Sequence, residues 1–135
     1  HRHAGRVGKV VVLDNLIRVL VARGQLDQAR HFAIECLPLA RHEKVGVDLL
    51  EATVGLASCL GDHATAARFW GASDQQLLAW GYRHEPGELE HLTPLLAASR
   101  RALGDAAFAA AEASGRAMTF DQAMFELEQW LQRAA

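Results

Sequence analysis

Three glycines, each standing between two segments of helical periodicity, restrict most strongly how this chain can fold. They are Gly24, Gly61 and Gly104, and the intervals between them are 37 and 43 residues. A glycine between two amphipathic helices ends the first and lets the chain turn back, so each pair is predicted to form an antiparallel hairpin. Intervals of roughly 34 to 47 residues are typical of hairpins that stack as a solenoid.

The flanking segments carry apolar residues at helical spacing, and none alternates apolar and polar residues over the length of a strand. The sequence therefore predicts an all-α fold of tandem antiparallel helix hairpins, stacked as a short right-handed α-solenoid and closed by a C-terminal capping helix. The predicted units comprise residues 9–45, 47–80 and 88–114, and the capping helix comprises 119–134, all in a single domain of 1–135. Pro38 must kink or end its helix, because its ring clashes with the carbonyl of Ile34.

An alanine follows each of the three glycines at the same distance. Ala29, Ala66 and Ala109 each stand five residues after a glycine. The glycine turns the chain, and the small side chain lets the second helix of the hairpin pack closely on the first. The same register is therefore expected in all three units.

The final helix has the clearest local signals. Thr119 and Gln122 have the spacing of a capping box at its start. A single apolar stripe follows, formed by Phe120, Met124, Leu127 and Leu131. A stripe of this length must be covered. The simplest cover is the preceding hairpin, residues 89–114, and the alternative is an interface to the rest of a longer protein or to a second copy of the chain.

Composition and charge exclude several classes of function. Half of the 135 residues are apolar, so the chain can bury a core without disulfides or metal. The formal net charge is -2 and both signs are interspersed, which argues against direct nucleic-acid binding. No apolar run reaches the roughly 18 residues of a membrane span and no signal peptide is recognisable. A cytoplasmic protein without membrane contact is expected. Cys36 and Cys59 are expected to be buried, reduced thiols.

The sequence contains histidines, acidic residues and serines of the kinds found in active sites, but they do not have the H-E-x-x-H or G-x-S-x-G spacing of catalytic motifs. His84, Glu85 and His91 lie close together in and after a glycine- and proline-containing loop, and a small metal-dependent enzyme using them is the alternative from another class. The H-E-x-x-H spacing is absent, because residue 88 is a glutamate. No serine stands in a G-x-S-x-G turn. No catalytic residue, cofactor or resident metal is therefore predicted.

The first predicted unit resembles the tetratricopeptide repeat. The resemblance is carried by Asp14-Asn15-Leu16 and by Gly24-Gln25-Leu26-Asp27-Gln28-Ala29. In such arrays the first helix of each pair lines the concave face. The resemblance thus implies a polar binding groove on the first helices of the first two units, with Asp14, Arg18, Glu51 and Ser58 as its candidate residues. Ordinary solvated surface is the alternative interpretation of these four residues.

A second resemblance covers the chain from about residue 50 to its end. It is carried by four blocks in order: Leu60-Gly61-Asp62, residues 66–72 (AARFWGA), residues 103–108 (LGDAAF), and residues 115–119 (GRAMT) with Gln122-Ala123. These blocks look like the carboxyl-terminal helical-repeat region of large bacterial ATPase regulators with LuxR-type, activator-type or adenylate-cyclase-type output domains.

That resemblance implies a non-catalytic regulatory or protein-interaction module in a longer polypeptide. Its expected partners are other domains of the parent protein or a separate protein, with a small-molecule effector and a homodimer as further expectations. The chain carries no G-x-x-x-x-G-K-[ST] loop, so it is expected neither to bind nor to hydrolyse ATP. The alternative within the same class is a stand-alone adaptor that binds peptide tails.

Overall fold

The computed structural model describes residues 16–40, 42–82 and 89–133. Over these ranges the chain is helical with connecting turns and contains no β-strand, which confirms the predicted all-α class. The helices are α1 (16–22), α2 (Leu26–Cys36), α3 (Glu43–Cys59), α4 (His63–Ala79), α5 (Thr93–Leu103), α6 (Asp105–Arg116) and α7 (Phe120–Arg133), with a 3-10 turn at Leu37–Leu39 after α2. None of the helices described here has the length and apolar character that crossing a bilayer requires.

The turns that follow α1 and α3 share one geometry. Gly24 and Gly61 have φ angles of 74° and 83°, in the left-handed region where a side chain would be strained. After Gly61, the amide of Asp62 donates a 2.9 Å hydrogen bond to the carbonyl of Ala57, and the equivalent bond follows Gly24. This Schellman arrangement ends the first helix and starts the second two residues after the glycine. The predicted turns at these glycines are therefore confirmed.

The third turn is shorter by one residue, and this changes the register of the helix that follows. Gly104, with φ of 85°, both ends α5 and caps α6, so α6 begins one residue after the glycine. In the first turns of α6 the buried residue is Phe108, whereas Ala109 is exposed, so the prediction for Ala109 is wrong. Counted from the helix start, Ala29, Ala66 and Phe108 all occupy the fourth position, and all three are buried.

The core is centred on α3. Every residue from 49 to 58 is buried, because α2, α4, α5 and α7 all contact this helix. α3 begins at Glu43, so the predicted boundary between the first and second units, at residues 45–47, falls inside this helix. Pro38 acts as predicted, since α2 ends at Cys36 and the proline stands in the 3-10 turn. Cys36 is buried, whereas Cys59 at the end of α3 is exposed, contrary to expectation.

Two glycines bring α4 and α6 into backbone contact, and this pair of helices has the most extensive interface in the described chain. A Cβ atom added to Gly71 would overlap the carbonyl oxygen of Glu112 on α6. A Cβ added to Gly115 would overlap the carbonyl oxygen of Arg68 on α4. The second and third hairpins are therefore joined at a crossing that has no room for a side chain.

The final helix packs back on the first half of the chain. Its capping box is confirmed: the Thr119 amide donates to Gln122 Oε1 at 2.9 Å, and the Gln122 amide donates to Thr119 Oγ1 at 3.1 Å. The predicted stripe is covered in its second half, where Leu127 and Leu131 are fully buried, whereas Phe120 and Met124 are half-buried. The helices that α7 mainly contacts are α2, α3 and α4, so the predicted cover by the α5–α6 hairpin is wrong. An amphipathic stripe specifies which face is buried but not the neighbour that buries it.

Candidate functional site

The four residues predicted to line a groove are not brought together on an open surface. Asp14 lies outside the described residues, and Arg18 on α1 is half-buried. Glu51 and Ser58 on α3 are only 5% and 6% exposed. They do not line an open groove, because helices pack around α3 on several sides. Ligand binding by Asp14 and Arg18 stays a prediction.

Ser58 belongs instead to a chain of hydrogen bonds between three helices. Its hydroxyl donates to the carbonyl of Leu95 on α5 at 3.0 Å and lies 3.0 Å from the hydroxyl of Ser99, also on α5. Ser99 is fully buried, and its oxygen lies 2.8 Å from Nδ1 of His63 at the start of α4. The chain of bonds therefore fastens α5 to both helices of the central hairpin.

The direction of these bonds argues against a catalytic serine. Ser58 has one hydroxyl proton and gives it to a carbonyl, which can only accept, so Ser99 must donate its proton to Ser58. Ser99 then accepts from His63, whose Nδ1 must carry a proton. A general base needs an unprotonated nitrogen facing the hydroxyl that it activates. His63 therefore positions Ser99 and does not activate it as a nucleophile.

The remaining candidate catalytic groups are the histidines and glutamate near residue 84 and the thiol of Cys59. His84 and Glu85 lie outside the described residues, so the metal hypothesis stays a prediction, and His91 is exposed just before α5. In the part of the chain that the structure covers, no three His, Cys, Asp or Glu side chains are grouped to bind a metal ion. Partial burial raises the pKa of the Cys59 thiol, which keeps it protonated and weakly nucleophilic at neutral pH.

Polar side chains fix α7 against α4 in a single orientation. Glu126 accepts a bidentate pair of hydrogen bonds from Arg68, with Nε to Oε2 at 3.1 Å and Nη2 to Oε1 at 2.9 Å. One turn further along, the indole Nε1 of Trp130 donates to Asp62 at 2.7 Å. The Trp130 ring also meets the ring of Phe69 edge to face, with centroids 6.1 Å apart. These contacts determine which face of α7 points outward.

The outward face of α7 carries Phe125, which at 63% exposed is the most exposed large hydrophobic residue in the described ranges. A depression lies on each side of it. The first, which we name the α7 groove, runs between the 3-10 turn and α7 and is lined by Leu37, Ala40, Phe120, Asp121, Met124, Phe125 and Glu128. The second lies toward α4 and α6 and is lined by residues that include Arg68, Ser114, Met118 and Gln122. Phe125 thus forms an apolar ridge between two depressions.

Sequence reasoning missed Phe125, although a signal was present. The apolar stripe of α7 runs through Phe120, Met124 and Leu127, and Phe125 is off that stripe, on the same side as Gln122. An aromatic residue on the polar face of an amphipathic helix gains nothing from the core of its own chain. Its position on that face is what could have identified it as a contact residue.

Comparison of the chain with protein-family models, with curated proteins and with solved structures found no match.

Proposed function

We propose that this chain is a non-catalytic regulatory or protein-interaction module that contacts its partner through the outward face of α7. The observation that carries the proposal is Phe125, exposed on a rigidly held helix between two depressions. Aromatic residues are enriched at the centres of protein interfaces, where they fill pockets of the partner. A helix fixed by Arg68 and Asp62 presents this ring with little loss of conformational freedom on binding.

The use of the polar residues supports the same function. The serines and the histidine that come closest to a catalytic arrangement hold helices together, and Arg68 is engaged by Glu126. An enzyme site needs convergent polar groups with free hydrogen-bonding capacity in a cleft. Around Phe125, by contrast, the surface is an apolar ridge with a depression on each side, which suits contact with a protein surface.

We further propose that the hairpins stack in the manner of a right-handed tetratricopeptide-like solenoid, within the cytoplasmic carboxyl-terminal part of a larger bacterial ATPase-type regulator. Recurrent Schellman turns and a buried residue at the fourth position of α2, α4 and α6 support the repeat. The four sequence blocks support the regulator. The crossing at Gly71 and Gly115 gives two of those blocks a shared structural role, because each glycine lies in one of them.

A photo-crosslinking residue at position 125 of the intact gene product tests the interaction function in cells. The matched control is the same residue at position 78, because Leu78 on α4 is also an exposed apolar residue, at 48%. Discrete adducts are expected from position 125 and not from position 78. Equal labelling from both positions would contradict a specific surface on α7.

Elemental analysis of the purified protein tests the rival enzyme. A site built by His84, Glu85 and His91 would retain about one zinc or manganese ion per chain after dialysis. The interaction module should retain none. Stoichiometric metal that disappears in a His91→Ala variant would replace the proposed function with a metal-dependent one.

A further inference from the structure

The α7 groove combines an apolar floor with an acidic rim. Leu37 in the 3-10 turn and Ala40 just after it form the floor together with Phe120 and Met124 from α7, and the groove has a volume of about 400 Å³. This volume accommodates one or two large apolar side chains. Asp121 and Glu128 contribute the only charged groups that line the groove among the described residues.

The two carboxylates of the rim have no cationic partner in the described part of the chain. Asp121 and Glu128 are exposed, and neither takes part in a described salt bridge. Glu126, on the same helix, is held by Arg68, which shows that α7 does engage its acids where they stabilise the fold. The groove therefore presents two negative charges beside apolar surface, and a cationic, partly apolar ligand complements both features.

The helix geometry sets the spacing that a partner must match. Asp121 and Glu128 are seven residues apart, which on an α-helix is two turns or about 10.5 Å. Met124 and Phe125 lie between them. A partner helix lying along the groove would place cationic residues opposite the two carboxylates if they were also two turns apart, with its large apolar residue over the floor.

We propose that the α7 groove binds an amphipathic helical segment of another protein, with Lys or Arg at positions i and i+7 and a large apolar residue at i+3 or i+4. The proposal rests on the proposed function and specifies its partner. Phosphate-bearing ligands such as nucleic acid or anionic lipid would be repelled by the acidic rim. A second copy of the chain docked symmetrically would bring like carboxylates together, so the rim disfavours a homodimer through this face.

A displayed library of helical peptides, with the outward positions randomised, tests the partner class directly. The probe protein is the complete chain, and the expected outcome is enrichment of two basic residues seven apart around an apolar residue. The selected peptide should lose affinity roughly tenfold for a variant with Asp121→Asn and Glu128→Gln, and its binding should weaken as salt is raised. A Phe125→Ala variant should lose binding without losing helicity.

The outcomes separate this inference from the function on which it rests. Peptides that require Phe125 but bind the neutralised variant equally well would overturn the basic-helix partner and leave the interaction surface standing. Enrichment of acidic residues, or a library that yields no binder, would also overturn the basic-helix partner. Crosslinking at position 125 tests independently whether the outward face of α7 is an interaction surface. A homodimer that dissociates on Phe125→Asp in sedimentation experiments would assign the groove to a second copy and refute the proposal.

Discussion

Alanine substitutions at the crossing of α4 and α6 should destabilise the fold although alanine is the better helix former. A Cβ atom at Gly115 would lie 2.8 Å from the carbonyl carbon of Arg68 and 3.0 Å from the amide nitrogen of Ala72. At Gly71 it would lie 2.9 Å from the carbonyl carbon of Glu112. These neighbours are backbone atoms, so no rotamer change relieves the overlap, and the two helices must separate.

The magnitude follows from two opposing effects. Replacing glycine by alanine within a helix contributes about 1 kcal/mol of stability through helix propensity. Overpacking typically costs about 1 to 3 kcal/mol, and the upper end applies where backbone must move. A separation of about 1 Å also forfeits a quarter to a half of the dispersion energy at the contacts involved. We therefore expect Gly115→Ala and Gly71→Ala each to lower the free energy of unfolding by about 2 kcal/mol.

Gly55→Ala is the matched control within the same fold. A Cβ at Gly55 would meet Leu95 Cδ1 at 3.4 Å and Leu92 Cδ2 at 3.6 Å, which are ordinary contacts with side chains. This variant should be as stable as the parent or more stable, by up to about 1 kcal/mol. Urea denaturation followed by far-UV circular dichroism measures the free energy of unfolding of all three variants. An unchanged m value, which is the slope of that free energy against urea concentration, is the check that unfolding stays two-state.

The opposite outcome is that the alanines at positions 71 and 115 stabilise the protein as much as the one at position 55. Such a result would mean that α4 and α6 do not approach at these glycines. In a thermal melt, Gly115→Ala should have a Tm roughly 8 °C below that of the parent. This shift corresponds to a loss of about 2 kcal/mol of unfolding free energy in a chain of this size.

Variants at four further positions test other contacts by the same denaturation assay. Asp62→Ala should cost about 2 to 4 kcal/mol, because it removes a helix cap and leaves the indole N–H of Trp130 without an acceptor, whereas Asp62→Asn should retain most of the stability. Leu127→Ala should cost about 2 to 5 kcal/mol as a truncation in the core, and a change below about 1 kcal/mol would place α7 outside the cooperative unit. Ala66→Leu should cost about 1 to 3 kcal/mol by overpacking, and a neutral effect would refute the packing register of the second hairpin. Ser99→Ala should lower the free energy of unfolding by about 1 to 2 kcal/mol. It should also shift the NMR resonance of His63 Nδ1, whereas removing a hydroxyl that does not contact His63 would leave that resonance unchanged.

The features that could be predicted from the sequence are those that a few neighbouring residues determine. Gly24 and Gly61 make their turns because a positive φ suits a residue without a side chain. Pro38 ends α2, and Thr119 and Gln122 cap α7, through contacts within one helical turn. These local rules are sufficient to predict the all-α class, the turns at Gly24 and Gly61, the end of α2 and the start of α7.

The features that could not be predicted depend on residues distant in sequence. Nothing near Glu51 or Ser58 shows that other helices cover α3, so both were expected on the surface. Phe108 is buried in place of the expected Ala109 because the turn at Gly104 is one residue shorter than the other two turns. Gly104 both ends α5 and caps α6. Neither the periodicity nor the composition distinguishes a turn of this kind from the longer ones.

The return of α7 to the first hairpin has a consequence for how the chain folds. In a linear repeat array each unit contacts its neighbours only, so the sequence separation of contacts stays short and units can be added or removed. Here Arg30 on α2 donates to the carbonyl of Leu131 across 101 residues, and α7 also contacts α3 and α4. Such contacts raise the contact order, which slows folding, and they couple α2 and α7 into one cooperative transition. Insertion of an extra hairpin between α4 and α5 should therefore disturb the first hairpin as well, because it would displace the helix that closes the structure.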